Sequence, residues 1–252
     1  MGCDGDRGTV GGDAVTTLLY HTDSYLREME ATVTRVAGER VALDRTVFYA
    51  QSGGQPADHG TLSWPGGEAR VVDVRRSGDE ILHQLAGPVP VAGTRVRGIL
   101  DWERRYALMR AHTALHVLCG VIWRDYGAPV TGGSMEPGSA RMDFELERMS
   151  ADFAAEVEAR ANAEIAADHE IRVRIVPRAE AFAIPDLIRT RINLLPEGIE
   201  QVRVVEIVGL DLQADGGTHV ARTGEVGRIR VTGHESKGRI NKRLRLAILD
   251  PV

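Results

Sequence analysis

The chain has 252 residues, 43% of them hydrophobic and 5% aromatic, and its formal net charge is −5. This length and apolar content predict one large domain or two, with a sizeable buried core. The negative charge argues against a protein held on nucleic acid by bulk attraction, although it allows a local basic surface. No apolar run approaches the roughly 18 residues of a membrane span, and two cysteines, Cys3 and Cys119, make no disulfide framework. We therefore expect a protein of the reducing cytoplasm with no membrane partner.

The first hundred residues read as a disordered tail followed by short strands. Residues 1–14 are rich in Gly and Asp, and we place the tail at 1–17. Many short strands separated by Gly and Pro turns predict a small β-barrel domain over residues 18–100. The predicted strands are Glu30–Val36, Arg40–Leu43, Thr46–Tyr49, Gly60–Trp64, Arg70–Arg75, Ile81–Leu85 and Arg95–Leu100.

A Gly-rich loop, Phe48–Gly60, interrupts these strands. Such a loop can place backbone N–H groups beside a ligand, or it can simply connect two strands. Composition alone favours the connecting turn. Within the loop, Gln55 is a candidate for a substrate contact, and Asp58 is expected to fix the loop itself.

A long periodic run from Asp101 to Tyr126 predicts a helix that carries two histidines. His112 and His116 are four residues apart and therefore lie on the same face of the helix. Two imidazoles in this arrangement are a common zinc half-site, but they are also common as a packed pair. Thr113 stands where the metallopeptidase motif His-Glu-x-x-His needs its glutamate, so the sequence does not support a peptidase of that type.

The rest of the chain mixes helices with strands, which predicts an α+β domain over residues 101–252, with helices on a mostly antiparallel sheet. We expect a helix at Met149–His169, whose acidic surface is solvated, and a short helix at Pro185–Thr190. The predicted strands are Val130–Ser134, Ala140–Leu146, Ile171–Val176, Gln201–Leu210 and a closing hairpin of Gly227–Thr232 with Arg243–Leu249.

A second half-site follows the apolar strand that ends at Leu210. Gly216 and Gly217 permit a sharp turn that can bring Asp215 and His219 to one point. Combined with the helix histidines, this gives three imidazoles and one carboxylate. Such a donor set suits Zn²⁺ with the carboxylate as fourth ligand or with water in its place.

Four sequence blocks, in order, resemble the alanyl-tRNA editing proteins, which are freestanding relatives of the editing domain of alanyl-tRNA synthetase. The blocks are Leu18–Val33, Phe48–Gly60, His112–His116 and Asp211–His219. The resemblance extends from about Leu18 to the C-terminus. It implies a zinc site, with one ion per chain, formed by His112, His116, Asp215 and His219.

One position departs from the family pattern, because Asp215 stands where the family usually has a cysteine ligand. Three outcomes follow from this change. Asp215 ligates the metal, or it orients a water that takes the ligand position, or the site binds metal poorly. Cys119, on the same helix as the histidine pair, is an alternative ligand, but a buried cysteine is more often part of the core.

The resemblance implies hydrolysis of the ester that joins a wrong amino acid to tRNA(Ala), with serine as the main error and glycine as the second. The implied activity is that of an aminoacyl-tRNA deacylase that works without ATP. It also implies that Thr131 recognises the serine hydroxyl, and that Gln213 supports the site or contacts substrate. Two alternatives stay open: a tRNA-binding module with a decayed metal site, and a zinc hydrolase of another small ester.

Near the C-terminus lies the best candidate surface for RNA. Five basic residues occur there without an acid, which is a pattern typical of phosphate contacts but also of a solvated face. They are Lys237, Arg239, Lys242, Arg243 and Arg245. The acidic helix at Met149–His169 is expected to avoid tRNA. The sequence indicates no obligate protein partner.

Overall fold

The computed structural model describes residues 15–190 and 198–250. The first half forms a closed six-stranded barrel, and the second half packs three helices against antiparallel sheets. This α+β architecture confirms the predicted fold class. Among the described helices, none is long and apolar enough to cross a membrane. The predicted disorder of residues 1–14 lies outside the described residues.

The barrel forms because apolar residues alternate along its strands, so that one face of each strand fills the interior. Val41, Leu62, Val74 and Ile81 are completely buried there. The strands are β1 (Thr17–Leu18), β2 (Glu28–Ala37), β3 (Arg40–Leu43), β4 (Arg45–Thr46), β5 (Gly60–Trp64), β6 (Gly67–Ser77), β7 (Glu80–Ala86) and β8 (Arg95–Leu100). The barrel closes in the order β2-β3-β7-β6-β5-β8, while β1 pairs in parallel with β4 outside the barrel.

Two details of the first half differ from prediction. Thr16 and Thr17 are ordered, since the Thr16 hydroxyl donates to the Leu43 carbonyl at 2.8 Å. The strand predicted at Thr46–Tyr49 ends at Thr46. Side chains take the backbone donors there: Phe48 N donates to Thr46 Oγ1 at 3.0 Å, and Tyr49 N donates to Asp58 Oδ2 at 2.7 Å. These bonds turn the chain away from a regular ladder.

The central element of the second half is helix α1 (Trp102–Tyr126). Asp101 caps its N-terminus by accepting from Arg104 N at 3.1 Å, and Gly127 ends it in the left-handed conformation with φ of 62°. The predicted helix is confirmed. Its side chains are buried on nearly every face from Leu108 to Ile122, so the helix passes through the core.

The remaining described elements form two sheets and two further helices. They are β9 (Val130–Glu136), β10 (Ser139–Glu145), α2 (Ala151–Ala166), β11 (Ile171–Pro177), α3 (Arg178–Ala183), β12 (Gln201–Ile207), β13 (Asp211–Ala214), β14 (Arg228–Ser236) and β15 (Asn241–Leu249). One antiparallel sheet has the order β14-β15-β10-β9, and a second has the order β11-β12-β13. Helix α2 and strands from both sheets contact α1.

The prediction of a short helix at Pro185–Thr190 is wrong, because the helix of this region, α3, ends at Ala183. Proline disfavours the helical conformation in the residue that precedes it. Ile184, which precedes Pro185, is accordingly extended. The segment that follows runs between two sheets, with Ala214 N donating to Leu187 O at 3.3 Å and Val130 N donating to Arg189 O at 2.9 Å. The strand predicted at Gln201–Leu210 ends at Ile207, and Gly209, with φ of 82°, turns the chain into β13.

A completely buried ion pair joins the barrel to α1. Arg105, on the first turn of the helix, donates through Nε to both carboxylate oxygens of Asp58 at 3.1 and 2.9 Å. The same guanidinium also donates to Val47 O at 2.5 Å and Ser24 O at 2.9 Å. Asp58 therefore does fix its own loop, as predicted, and it also anchors that loop to the helix.

We expect Arg105→Met to lower the free energy of unfolding by about 3–5 kcal/mol, because the variant leaves the Asp58 carboxylate buried without its charge partner. Denaturation in guanidinium chloride measures the change. Arg97→Met is the matched control, since its pair with Glu28 is more than half exposed on both sides and should contribute nothing measurable. An unchanged unfolding midpoint for Arg105→Met would contradict this role.

Candidate metal centre

Two segments bring four metal-binding side chains together. His112 and His116 project from α1, while Asp215 and His219 come from the turn after β13. One potential ligand atom from each residue lies within 4.8 Å of all the others. The three imidazoles are buried, and the Asp215 side chain is only 19% exposed. This arrangement can hold a metal ion, as the spacing of the two half-sites predicted.

The turn after β13 is shaped by hydrogen bonds to Asp215 and by the close approach of the Gly217 backbone to the His112 ring. Asp215 Oδ2 accepts from Gly217 N at 2.8 Å and from His219 Nε2 at 3.0 Å. A Cβ atom at Gly217 would collide with the His112 ring and would lie 2.8 Å from Gln55 Oε1. Only glycine can therefore occupy position 217 while the turn lies against His112.

Each imidazole is oriented by a hydrogen bond at Nδ1. His112 Nδ1 lies 3.0 Å from Gln55 Oε1, and His116 Nδ1 lies 3.1 Å from Asp211 Oδ2. His219 Nδ1 pairs with Thr113 Oγ1 at 3.2 Å. With Nδ1 engaged in each ring, Nε2 is the atom that each imidazole can offer to a metal, which is the usual arrangement around metal-binding histidines. Nε2 of His219 lies 3.0 Å from Asp215 Oδ2, and Nε2 of His112 lies 3.6 Å from Asp215 Oδ1.

The electrostatics of the cluster favour the metal-binding protonation state at two of the three histidines, His112 and His219. Burial lowers the pKa of His112 well below its usual value and lowers the pKa of His219 to about 4. For His116, burial acts in the same direction, but the hydrogen bond to Asp211 and the charge of Asp215 outweigh it and raise the pKa. The first two imidazoles are thus neutral at neutral pH, which is the form that coordinates a metal.

Asp215 is held in its ionised form. Burial opposes ionisation, but the surrounding imidazoles and the hydrogen bond from His219 outweigh it and lower the pKa of Asp215 well below its usual range. Arg203 lies beneath the turn, with Nη1 donating to the Asp215 carbonyl at 2.9 Å and lying 3.7 Å from Oδ2. Arg203 also donates to the His21 carbonyl at 2.9 Å. The donor set is therefore three imidazoles and one carboxylate, which fits Zn²⁺.

Gln55 and Gln213 lie next to the cluster as supports. Gln55 is completely buried, its Oε1 facing His112 and accepting from Thr218 N at 3.1 Å, and its Nε2 donating to Thr218 Oγ1 at 2.8 Å. Since the oxygen and the nitrogen of this amide both form hydrogen bonds within the protein, the geometry favours a supporting role for Gln55 over the predicted substrate contact. Gln213 donates to Asp211 Oδ2 at 2.7 Å, which agrees with the supporting alternative.

Two other candidates lie outside the metal cluster. Thr131 is exposed on β9 and donates to Asn241 Oδ1 at 2.8 Å, so its recognition of a substrate hydroxyl stays a prediction. Cys119 is buried in the core and is not among the four clustered residues. Burial raises the pKa of its thiol well above the usual value, which disfavours the thiolate that a metal needs.

Four of the five basic residues predicted for RNA are engaged within the protein. Glu235 lies 3.1 Å from Lys237 Nζ and 2.6 Å from Arg245 Nε, and Asp143 accepts two bonds of 2.7 Å from Arg243. Lys242 is buried and donates to two backbone carbonyls, whereas Arg239 is exposed. These partners reduce the net positive charge of the surface, and the RNA contact stays a prediction.

Three supporting residues were not identified from the sequence: Asp211, Thr113 and Arg203. Asp211 begins the block Asp211–His219, so a polar residue at the start of that block was an available signal. Thr113 follows His112 on α1, yet its partner His219 is 106 residues away. No local pattern could pair Arg203 with the turn.

Two family models match the chain. One, described as class II (A) tRNA synthetases, matches residues 15–104, and the other, described as the threonyl and alanyl tRNA synthetase second additional domain, matches residues 202–245. The alanyl-tRNA editing protein AlaX-M of Methanosarcina acetivorans is 42% identical, over 94% of this chain and 100% of the relative. The chain belongs to the alanyl-tRNA editing protein family.

Other relatives agree with this membership. The AlaX-M protein of Saccharolobus solfataricus is 40% identical over 91% of this chain and 98% of its own length. An alanine–tRNA ligase of Pyrobaculum neutrophilum is 41% identical over 86% of this chain, and the matched part is 25% of the ligase. The chain thus has relatives both as freestanding editing proteins and as part of a synthetase, which confirms the resemblance drawn from the four blocks.

We expect Gly217→Ala to weaken metal binding by about 10–100-fold, because the added methyl group displaces His112 or Gln55. Gly216→Ala is the matched control: its Cβ would meet nothing nearer than His21 Nε2 at 4.0 Å. Zinc affinity, measured by competition with a chromophoric chelator, distinguishes the two variants. Equal affinities would show that the turn does not lie against His112 as described.

Proposed function

We propose that the protein is an aminoacyl-tRNA deacylase of the cytoplasm, which removes serine, and secondarily glycine, from mischarged tRNA(Ala). The observation that carries this proposal is the convergence of three imidazoles and a carboxylate in a member of the alanyl-tRNA editing family. The names of the relatives support an editing role, and the donor set supports one zinc ion per chain.

In this proposal His112, His116, His219 and Asp215 hold the zinc ion. Bound zinc would supply a Lewis acid for the ester carbonyl and would lower the pKa of a nearby water. The aminoacyl ester is already reactive, so the protein needs mainly to orient it and the attacking water. Gln55, Asp211 and Thr113 serve this purpose by fixing the three imidazoles before substrate arrives.

The amino acid preference follows from what an alanine pocket can exclude. Glycine is smaller than alanine, and serine adds only a hydroxyl, so a synthetase rejects both weakly. A second site that hydrogen-bonds the hydroxyl discriminates far more strongly, since alanine leaves the site's polar group without a partner. Thr131 is our candidate for that group.

The first test is deacylation of Ser-tRNA(Ala) beside Ala-tRNA(Ala), with zinc content determined on the same preparation. We expect serine to be released, alanine to be spared, and about one zinc per chain. His112→Ala/His116→Ala should lower deacylation to the uncatalysed background and remove the zinc, because the variant removes two of the four ligands. His234→Ala, which changes an exposed histidine elsewhere, is the control.

Other outcomes of this test identify the alternatives. tRNA binding without turnover or zinc would mean that Asp215 marks a decayed site. Zinc with hydrolysis of simple seryl esters, but no preference for the tRNA ester, would identify a hydrolase of another small ester. Full activity of the histidine double variant would overturn a catalytic metal site altogether.

We also expect the basic surface near the C-terminus to contribute to tRNA affinity. Lys237→Gln/Arg239→Gln should weaken binding and reduce the salt dependence of log K by about one unit for each phosphate that the variant no longer neutralises. A filter-binding salt series measures both quantities. Arg40→Gln/Arg70→Gln, on the barrel, provides a control with the same charge change. Identical slopes for the two variants would mean that the first pair does not contact phosphate.

A further inference from the structure

Asp211 supports His116 with only one of its two carboxylate oxygens. Oδ2 accepts from His116 Nδ1 at 3.1 Å and from Gln213 Nε2 at 2.7 Å. The carboxylate is completely buried, and Oδ1 has no hydrogen-bond partner. A polar oxygen left without a partner in the interior is costly. The structure therefore indicates a group that satisfies Oδ1 when the site works.

Arg189 lies close to that oxygen. Its Nε lies 3.6 Å from Asp211 Oδ1, and both Nε and Nη1 are buried without hydrogen-bond partners. The guanidinium lies over the Trp123 ring at 4.5 Å, and the side chain is 11% exposed. The backbone of Arg189 is fixed by the bond from Val130 N. Unpaired donors and an unpaired acceptor thus face each other across a short gap.

The gap opens into a recess with room for solvent. Its volume is about 220 Å³, and Arg189 and Asp211 lie on its wall together with Glu206 and Leu210. Such a volume holds several water molecules, and the polar atoms on its wall can bind them. Arg189 can therefore reach Oδ1 by a small movement or through one bridging water.

We propose that Arg189 is a positioning residue for the metal site, which acts through Asp211 on His116. By holding Oδ1, it stops the carboxylate from rotating, keeps Oδ2 on His116 Nδ1 and so directs His116 Nε2 toward the cluster. The inference rests on the proposed function only in taking His116 as a metal ligand.

His116 differs from the other two histidines in that the carboxylate orienting it has one oxygen without a hydrogen-bond partner. His112 and His219 are oriented by an amide and a hydroxyl, of which the Gln55 amide is fixed at both ends by Thr218. Among the described contacts of Asp211, Gln213 shares the oxygen that His116 already uses. Arg189 is the described side chain that can hold the other oxygen and complete the fixation of this carboxylate.

The test compares Arg189→Met, Arg189→Lys and Glu206→Gln in the full chain. Glu206→Gln changes the same recess without touching the Arg189–Asp211 contact and should match the unmodified chain. We expect Arg189→Met to weaken Co²⁺ and Zn²⁺ affinity by about 10–100-fold and to change the visible absorption of bound Co²⁺. Arg189→Lys should retain part of the affinity, because it keeps the charge but not the forked donors.

A double-variant cycle shows whether the effect passes through Asp211. In an Asp211→Asn background, adding Arg189→Met should cause little further loss of metal affinity, since the partner charge is already absent. Nitrogen chemical shifts of the His116 ring in the metal-free chain provide a readout that requires neither metal nor turnover. The Nδ1–H form should predominate in the unmodified chain and diminish in Arg189→Met.

Several results would overturn the inference. If the Arg189→Met variant unfolds more easily but keeps its metal affinity and its His116 signals, then Arg189 only packs against Trp123 and does not position the site. Additive losses in the cycle would also reject it. If Arg189→Met does not fold, Arg189→Lys with unchanged metal affinity decides against the proposal. If the unmodified chain fails to deacylate tRNA while the metal effects persist, the proposed function fails and the positioning role stands.

Discussion

The buried ion pair between Arg105 and Asp58 is the contact on which the site's geometry depends. Desolvating two charges is expensive, and the pair persists only because backbone carbonyls and an amide satisfy the remaining donors and acceptors. It fixes the Gly-rich loop of the barrel against the first turn of α1. Since His112 follows Arg105 by two helical turns, fixing the start of α1 also fixes where the imidazole meets Gln55 of the same loop.

The metal cluster is consequently assembled from parts that are distant in sequence. The barrel loop supplies Gln55, α1 supplies two imidazoles, and the β13 turn supplies the other two ligand candidates. Glycines allow close approach at two contacts: a Cβ at Gly54, on the barrel loop, would lie 2.5 Å from the Gly133 carbonyl of β9, and one at Gly217, on the β13 turn, would enter the His112 ring. A glycine at such a position serves close packing rather than flexibility.

Local patterns predicted the elements well and their contacts poorly. The alternation of the barrel strands and the spacing of His112 and His116 are local properties, and both were confirmed in the structure. The strand ends at Thr46 because side chains accept the backbone hydrogen bonds there. The chain is extended at Ile184 because a proline follows. Two of the predicted RNA-binding arginines, Arg243 and Arg245, form ion pairs with acidic residues of other strands. Such long-range pairs leave no periodic signal in the sequence.

The carboxylate at position 215 has two consequences for the site. A carboxylate oxygen is a harder donor than a thiolate and has a shorter bond to zinc, about 2.0–2.2 Å against about 2.3 Å, so a zinc ion held here would be more Lewis-acidic. Asp215 also accepts from Gly217 N, two residues on, and forms a local turn that does not require metal. Arg203 also holds the turn, and hydrogen bonds orient the three imidazoles, so contacts within the protein shape the site. Among the three outcomes that this position allows, we therefore favour the one in which Asp215 ligates the metal.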